Sequence, residues 1–288
     1  MTTLFELLSN GILLGGIYAL MACGLNLVFG VMRVINFAHG EFLAFGALAT
    51  FTLCVTLGLP YWTALILVPV VMALFGYAMQ VSLIARVVNA PMIMSVLLTY
   101  AVSTVLVNIG LYVYGGGFKG IPGLLGGSVE VLGARLSQAR LVAFAVAIGA
   151  SLGVLVFLKK SLFGKAIRAV SQEPEIASIS GISVERVRIA TFALGAAMAG
   201  LAGVLIAPIY SADPQMGSRF LIKIFAVVII GGMGSYSGAI AGALLLGVVE
   251  VVGGYRFGQV AGSAVVYLVM IGVLLVRPRG LFGVGVRA

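Results

Sequence analysis

Apolar residues in this chain come in long unbroken runs, and polar residues are confined to the gaps between them. The runs lie near residues 4–30, 37–58, 62–85, 92–114, 139–158, 189–210 and 260–276. Roughly 20 helical residues cross a hydrocarbon layer about 30 Å thick, so each run predicts a transmembrane helix. The stretch 220–254 is too long for one such helix, and "GGMGSYSG" at 231–238 interrupts it. It predicts two pieces, 220–232 and 237–254, the first a half-span or a steeply placed helix. The expected fold is all-α: a polytopic transmembrane helical bundle of about 8–10 membrane segments, broken helices included, in one domain over residues 1–288.

Composition agrees. Of 288 residues, 62% are hydrophobic and 9% charged, against about 25% charged in ordinary soluble domains. Too few polar residues remain to coat a soluble core of this length. The 17 basic residues punctuate apolar segments instead of clustering on a soluble surface, which argues for membrane orientation and against nucleic-acid binding. Cys23 and Cys54 lie inside apolar runs and read as small core residues, without a disulfide or metal framework. The start, "MTTLFELLSNGILLGG", has no basic residue before its apolar run and reads as a retained first helix.

Basic residues also set the orientation. The interruption 159–188 carries Lys159, Lys160, Lys165, Arg168, Arg186 and Arg188, which places it in the cytoplasm. Counting outward puts Arg33, Arg86, Arg277, Arg279 and Arg287 on the same side, with the N-terminus outside and the C-terminus inside. Tyr61, Trp62, Tyr112, Tyr114, Tyr210 and Tyr255 then fall at outer helix ends, where amphipathic rings favour the interface. The segment 115–138 becomes an external loop whose "VEVLGARLS" alternates like a hairpin with Gly133 at its turn.

Small residues recur every four positions in three places: Gly11, Gly15, Ala19 and Cys23; Gly195, Ala199, Gly203 and Ala207; and Gly234, Gly238 and Gly242. That spacing lets transmembrane backbones approach closely and predicts a compact bundle.

Catalytic signatures are nearly absent. The chain has one histidine and no H-E-x-x-H, and it lacks the G-x-S-x-G and P-loop patterns. If ATP drives this protein, another chain hydrolyses it. The cytoplasmic loop says more. Pro174 suits a first helical position, Glu173 and Glu175 suit the positive helix end, and Gly181 suits a C-cap. A stub helix from Pro174 to about Ser180 is expected, with Ile176 and Ile179 as its apolar edge.

"EIASISG" (175–181) resembles the E-A-A-x-x-x-G loop by which ABC importer permeases dock a coupling helix into their ATPase subunits. Glu175, Ala177 and Gly181 match, while Ile176 replaces the first alanine. "GLNLVFGVMRVINFAHGE" (24–41), "FGKAIRAVSQ", "FALGAAMAGLAGVL" (192–205) and "GGMGSYSGAIAGALLLGVVE" (231–250) look like the permeases of branched-chain amino acid ABC importers, of the high-affinity type that precedes a second permease. The resemblance runs from about residue 9 to 283. It implies a second homologous permease subunit, two ATP-binding subunits and a periplasmic or lipid-anchored substrate-binding protein. It further implies an amino acid cargo, a prokaryotic inner membrane, and no cofactor in this chain, since ATP and Mg would be bound by the partner subunits.

One polar stretch stands out. "NFAHGEFLAFG" (36–46) places Asn36, His39 and Glu41 between two apolar runs. Intramembrane ionisable groups usually face a cavity or one another. One reading makes Asn36 and His39 a helix break, positioned by Gly30 and Gly40, on the translocation path or its inner gate. The other makes the segment a tight inner turn, with His39 and Glu41 paired and Arg33 balancing Glu41. Gly231, Gly232 and Gly234 join the candidates as flexible backbone near the inner face. Glu250, a further acid in an apolar run, either lines a path or pairs with Arg256 at the outer interface, and the pair is the favoured expectation.

The favoured function is a passive half-channel for amino acids, opened by ATPase partners. Urea, short amides or other small carboxylates suit the same sparse lining. An ion-coupled secondary transporter would use an intramembrane carboxylate and no coupling helix, and a membrane enzyme would need a catalytic constellation that the chain lacks.

Overall fold

A computed structural model describes residues 2–121, 126–131, 134–277 and 280–282. The long apolar runs form helices because a backbone in hydrocarbon must satisfy its hydrogen bonds within its own segment. In order these are α1 (Thr2–Met32), α2 (His39–Phe51, continued by a π-helical turn, Thr52–Thr56), α3 (Tyr61–Met79), α4 (Ala85–Val87), reached through a second π-helical turn, Gln80–Ile84, and α5 (Met92–Tyr114). After the strands β1 (Ser128–Val131) and β2 (Ala134–Ser137) come α6 (Gln138–Lys160), α7 (Leu162–Gln172), α8 (Pro174–Ile179) and α9 (Val184–Ile206). The chain continues with α10 (Met216–Gly231), α11 (Tyr236–Phe257) and α12 (Gln259–Val276). Among the described residues, seven helical stretches are long and apolar enough to cross a membrane. The 16 residues of α10, which include Arg219 and Lys223, and the apolar part of α12 (Ala261–Val276) are shorter. Counting those two gives nine membrane segments among the described residues, as the apolar runs predict.

α1 is the axis of the bundle and the most enclosed of the long helices. Its glycines let α11 in: a Cβ on Gly15 would meet the Ala243 carbonyl at 2.8 Å. On the opposite flank, α9 packs through Gly195 against Gly24 and Val28 of α1, and through Gly203 against Leu43 of α2. Gly238 and Gly242 of α11 meet Gly231 and Val227 of α10 in the same way. All three small-residue stripes are therefore helix–helix seams, as close backbone packing in lipid requires.

The two ends of the bundle differ. At one end Arg33, Val88, Gln172, Glu173 and Arg188 line a common surface cavity, and Leu281 docks its N–H on the Ile230 carbonyl. This is the basic end assigned to the cytoplasm; Arg279 and Arg287 lie outside the described residues. At the other end Glu6 accepts from the Arg135 amide, Asn10 from Arg140, and Lys119 pairs with Ala212 as an antiparallel bridge. There β1 and β2 form the expected hairpin, in the register Ser128↔Ser137 to Val131↔Ala134. Gly133, expected at its turn, lies outside the described residues.

The loop 159–188, assigned to the cytoplasm, departs from expectation in one respect: it holds two helices, not one. α7 precedes the stub helix, capped by Ser161, whose Oγ accepts from the Gly164 amide at 2.8 Å. Its buried side is Gly164, Ile167 and Val170, so it lies against the bundle, with Leu162 and Phe163 exposed.

Candidate functional site

The stretch 33–38 is non-helical backbone that runs from the basic end into the bundle. α1 ends at Met32, and Arg33 turns the chain with φ +53° and an exposed side chain. The chain then climbs back along α1, so that His39 Nε2 lies 3.1 Å from the Met21 carbonyl oxygen. Met21 precedes the end of α1 by about 16 Å at 1.5 Å per residue. α2 therefore starts alongside the middle of α1, and the segment re-enters the bundle.

The break is held by local capping and by α5. Asn36 Oδ1 accepts from the Ala38 amide at 3.0 Å, closing the turn that opens α2. Thr99 Oγ1 accepts from the Phe37 amide at 3.1 Å and bonds the Ile35 carbonyl at 3.0 Å. These bonds take up backbone groups that an extended segment would leave unpaired in hydrocarbon. Gly40 is needed for close approach, because a Cβ there would strike the Gly217 carbonyl of α10. Gly30 has room for one and lies opposite Gly234.

Asn36, His39 and Glu41 are all fully buried. The expected His39–Glu41 pair does not form, and Arg33 does not balance Glu41. His39 and Glu41 lie two residues apart within the first turn of α2, where side chains point to nearly opposite sides. The imidazole donates from Nε2 to Met21, since a carbonyl can only accept. Glu41 Oε1 instead accepts from Ser103 Oγ on α5 at 3.1 Å. Asn36 Nδ2, His39 Nδ1 and Glu41 Oε2 have no hydrogen-bond partner among the described residues. Three unpaired buried polar atoms within six residues are unusual, since buried polar groups are nearly always bonded.

The glycine turn lies at the basic end. Gly232 and Gly234 adopt φ +96° and +84°, a region open to glycine at little cost. Asn26 of α1 clamps the turn: its Nδ2 donates to the Ser235 carbonyl at 2.7 Å and its Oδ1 accepts from the Gly234 amide at 2.6 Å. Gly231 packs against the Gly238 carbonyl. Gly234 and Asn26 border a cavity of about 350 Å³ closed by Lys159, Arg168 and Tyr236.

α8 has the expected form, one residue shorter. Pro174 occupies its first turn, and Gly181, at φ +84°, reverses the chain so that the Ile182 amide reaches the Ala177 carbonyl at 3.0 Å. Ala177 is the buried contact. Ile176 and Ile179 are 63% and 87% exposed, and Glu175 stands exposed beside them.

Sequence reasoning missed an ion pair inside the bundle. Glu250 does not meet Arg256. Lys223 of α10 binds one of its carboxylate oxygens, and Tyr18 of α1 donates to the other at 2.8 Å. A lysine within the run 220–232 was the available signal, because a charge at that depth needs a partner.

Comparison with known proteins agrees with this architecture. Residues 7–275 match the family model described as branched-chain amino acid transport system, permease component. The chain is 31% identical over 290 residues to the high-affinity branched-chain amino acid transport system permease protein LivH of Salmonella typhimurium, covering 95% of this chain and 94% of that protein. It is 32% identical to the corresponding BraD of Pseudomonas aeruginosa (96% and 94% covered) and 30% identical to a probable LivH of Methanocaldococcus jannaschii (96% and 92%). No solved structure matches. With the match spanning all the membrane helices except the first residues of α1 and the last of α12, the chain belongs to the branched-chain amino acid transport permease family and is a multi-pass membrane protein.

Proposed function

We propose that this chain is one of two permease subunits of an ABC importer that brings branched-chain or other hydrophobic amino acids across a prokaryotic inner membrane by alternating access. The observation that carries this reading is α8. A six-residue helix at the basic end, with an exposed apolar edge and an acidic first turn, has the form of a plug for a socket on another protein. Glu175, Ala177 and Gly181 have coupling roles: charge at the interface, the buried foot of the helix, and the reversal that releases it. Two ATP-binding subunits supply the energy and hold ATP and Mg; this chain contributes no cofactor site. The outer surface, with loop 115–138, receives a soluble or lipid-anchored binding protein loaded with cargo.

Asn36, His39 and Glu41, with Gly231, Gly232 and Gly234, serve the inner gate in this account. Buried as they stand, the first three do not line an open path. Their unpaired atoms are reserved for partners met in another state of the transport cycle, and the glycines allow the neighbouring turn to change shape. Isolation of the chain from native membranes in a mild detergent tests the assembly. Two ATPase chains and a second permease should copurify with it. A complex without ATPases, still able to move amino acids, would refute the reading.

A further inference from the structure

α5 exposes two parallel stripes of opposite character. Leu97, Ala101, Val105 and Ile109 recur every four residues and present aliphatic surface. Tyr100, Thr104 and Asn108 recur at the same spacing about a quarter turn away, and they are exposed as well. Lipid solvates the first stripe well. It solvates the second poorly, because an amide and hydroxyls find no partners in hydrocarbon. Asn108 donates to the Thr104 carbonyl at 2.8 Å and Thr104 to the Tyr100 carbonyl at 3.0 Å, which leaves their side-chain oxygens as acceptors on an exposed face. The face turned to the bundle is different again. There Thr99 and Ser103 hold the helix break and Glu41.

Towards the basic end the polar stripe runs into aromatic surface. Tyr100 meets Phe37 edge-on at 6.3 Å between centroids, and Phe37 meets Phe225 of α10 at 5.4 Å. Next to them an apolar groove of about 120 Å³ is lined by Ile35, Phe225, Ile229 and Met233, among others.

We propose that the Tyr100–Thr104–Asn108 stripe and the Phe37–Phe225 wall form this subunit's half of the translocation path, on the face turned to the second permease. The proposal rests on the transport reading above, whose cargo is a zwitterion with an aliphatic side chain, and assigns each part of that cargo to residues of this chain. The side-chain oxygens of Thr104 and Asn108 accept from an α-ammonium, and the Tyr100 hydroxyl and the second Asn108 N–H donate to an α-carboxylate, with no formal charge to trap either. The aromatic wall and groove take the side chain. Because α5 grips the break with one face and lines the path with another, its displacement during transport moves Phe37 and the backbone around Asn36 together.

Cysteine labelling of the assembled complex in membranes tests this, in a Cys54→Ala background with the buried Cys23 retained. Thr104→Cys and Asn108→Cys should react with a charged, water-soluble thiosulfonate about tenfold faster than Val105→Cys and Ile109→Cys, since the charged reagent avoids lipid. Leucine, supplied with its binding protein and ATP, should slow labelling of the first pair. Asn108→Ala should raise the KM for leucine uptake several-fold with ATPase activity retained, as lost ground-state binding does. Equal labelling of both stripes, in a complex that still performs ATP-driven leucine uptake, would overturn the stripe and leave the transport reading standing. Selective labelling without leucine uptake would support the aqueous path and sink the cargo assignment.

Discussion

Ser103 donates to a carboxylate that is otherwise without a partner among the described residues, so a small hydroxyl on α5 carries a disproportionate role. Removing it leaves Glu41 buried and unpaired. Ser103→Ala should lower stability by about 1–3 kcal/mol. The double variant Ser103→Ala/Glu41→Gln should recover part of the loss, which thermal unfolding of the purified complex would read. Lys223 and Glu250 follow the same logic with charges. Lys223→Met leaves a partly buried carboxylate without its cation and should cost up to about 3–5 kcal/mol, more than Lys223→Met combined with Glu250→Gln. Equal losses for the single and double variants would mean that the pair is solvated and idle. The sequence marked out Asn36, His39 and Glu41 by their polarity, but their partners were not legible. Met21, Thr99 and Ser103 become neighbours only through the re-entrant path of 33–38. Glu250 was assigned the nearby Arg256, whereas its partner is 27 residues away across the α10–α11 seam.

Elements were more legible, because each has a local cause. Apolar run length gave the membrane helices, alternation gave the β1–β2 hairpin, and Pro174 with Gly181 gave α8. The exception, α7, is short and amphipathic, and its apolar side is split by basic residues that dominate the loop's character. Phe163, Ile167 and Val170 at helical spacing were the signal. For α8 the decisive residue is Gly181, whose φ of +84° a β-branched residue tolerates badly. Gly181→Val should reorient the Ile176–Ile179 edge and abolish substrate-stimulated ATP hydrolysis, with assembly partly retained. Normal stimulation in that variant would remove α8 from the coupling role. On the opposite side, deleting residues 125–135 should weaken docking of the binding protein, and an unchanged affinity would make the loop a spacer.

At the scale of the whole molecule, the account is a bundle wound on α1, basic at one end and hairpin-capped at the other, with a helix break between them. Its orientation predicts that Ser171→Cys is labelled from the cytoplasmic side alone; labelling only from outside would invert the topology. The central claim is that this bundle moves amino acids on energy supplied by other chains. Uptake of labelled leucine into proteoliposomes holding the purified complex, with binding protein outside the permease face and ATP at the α8 face, tests it most directly. The account predicts uptake that requires ATP and persists when proton and sodium gradients are collapsed. Uptake that follows an ion gradient and continues without ATP or the ATPase subunits would contradict it.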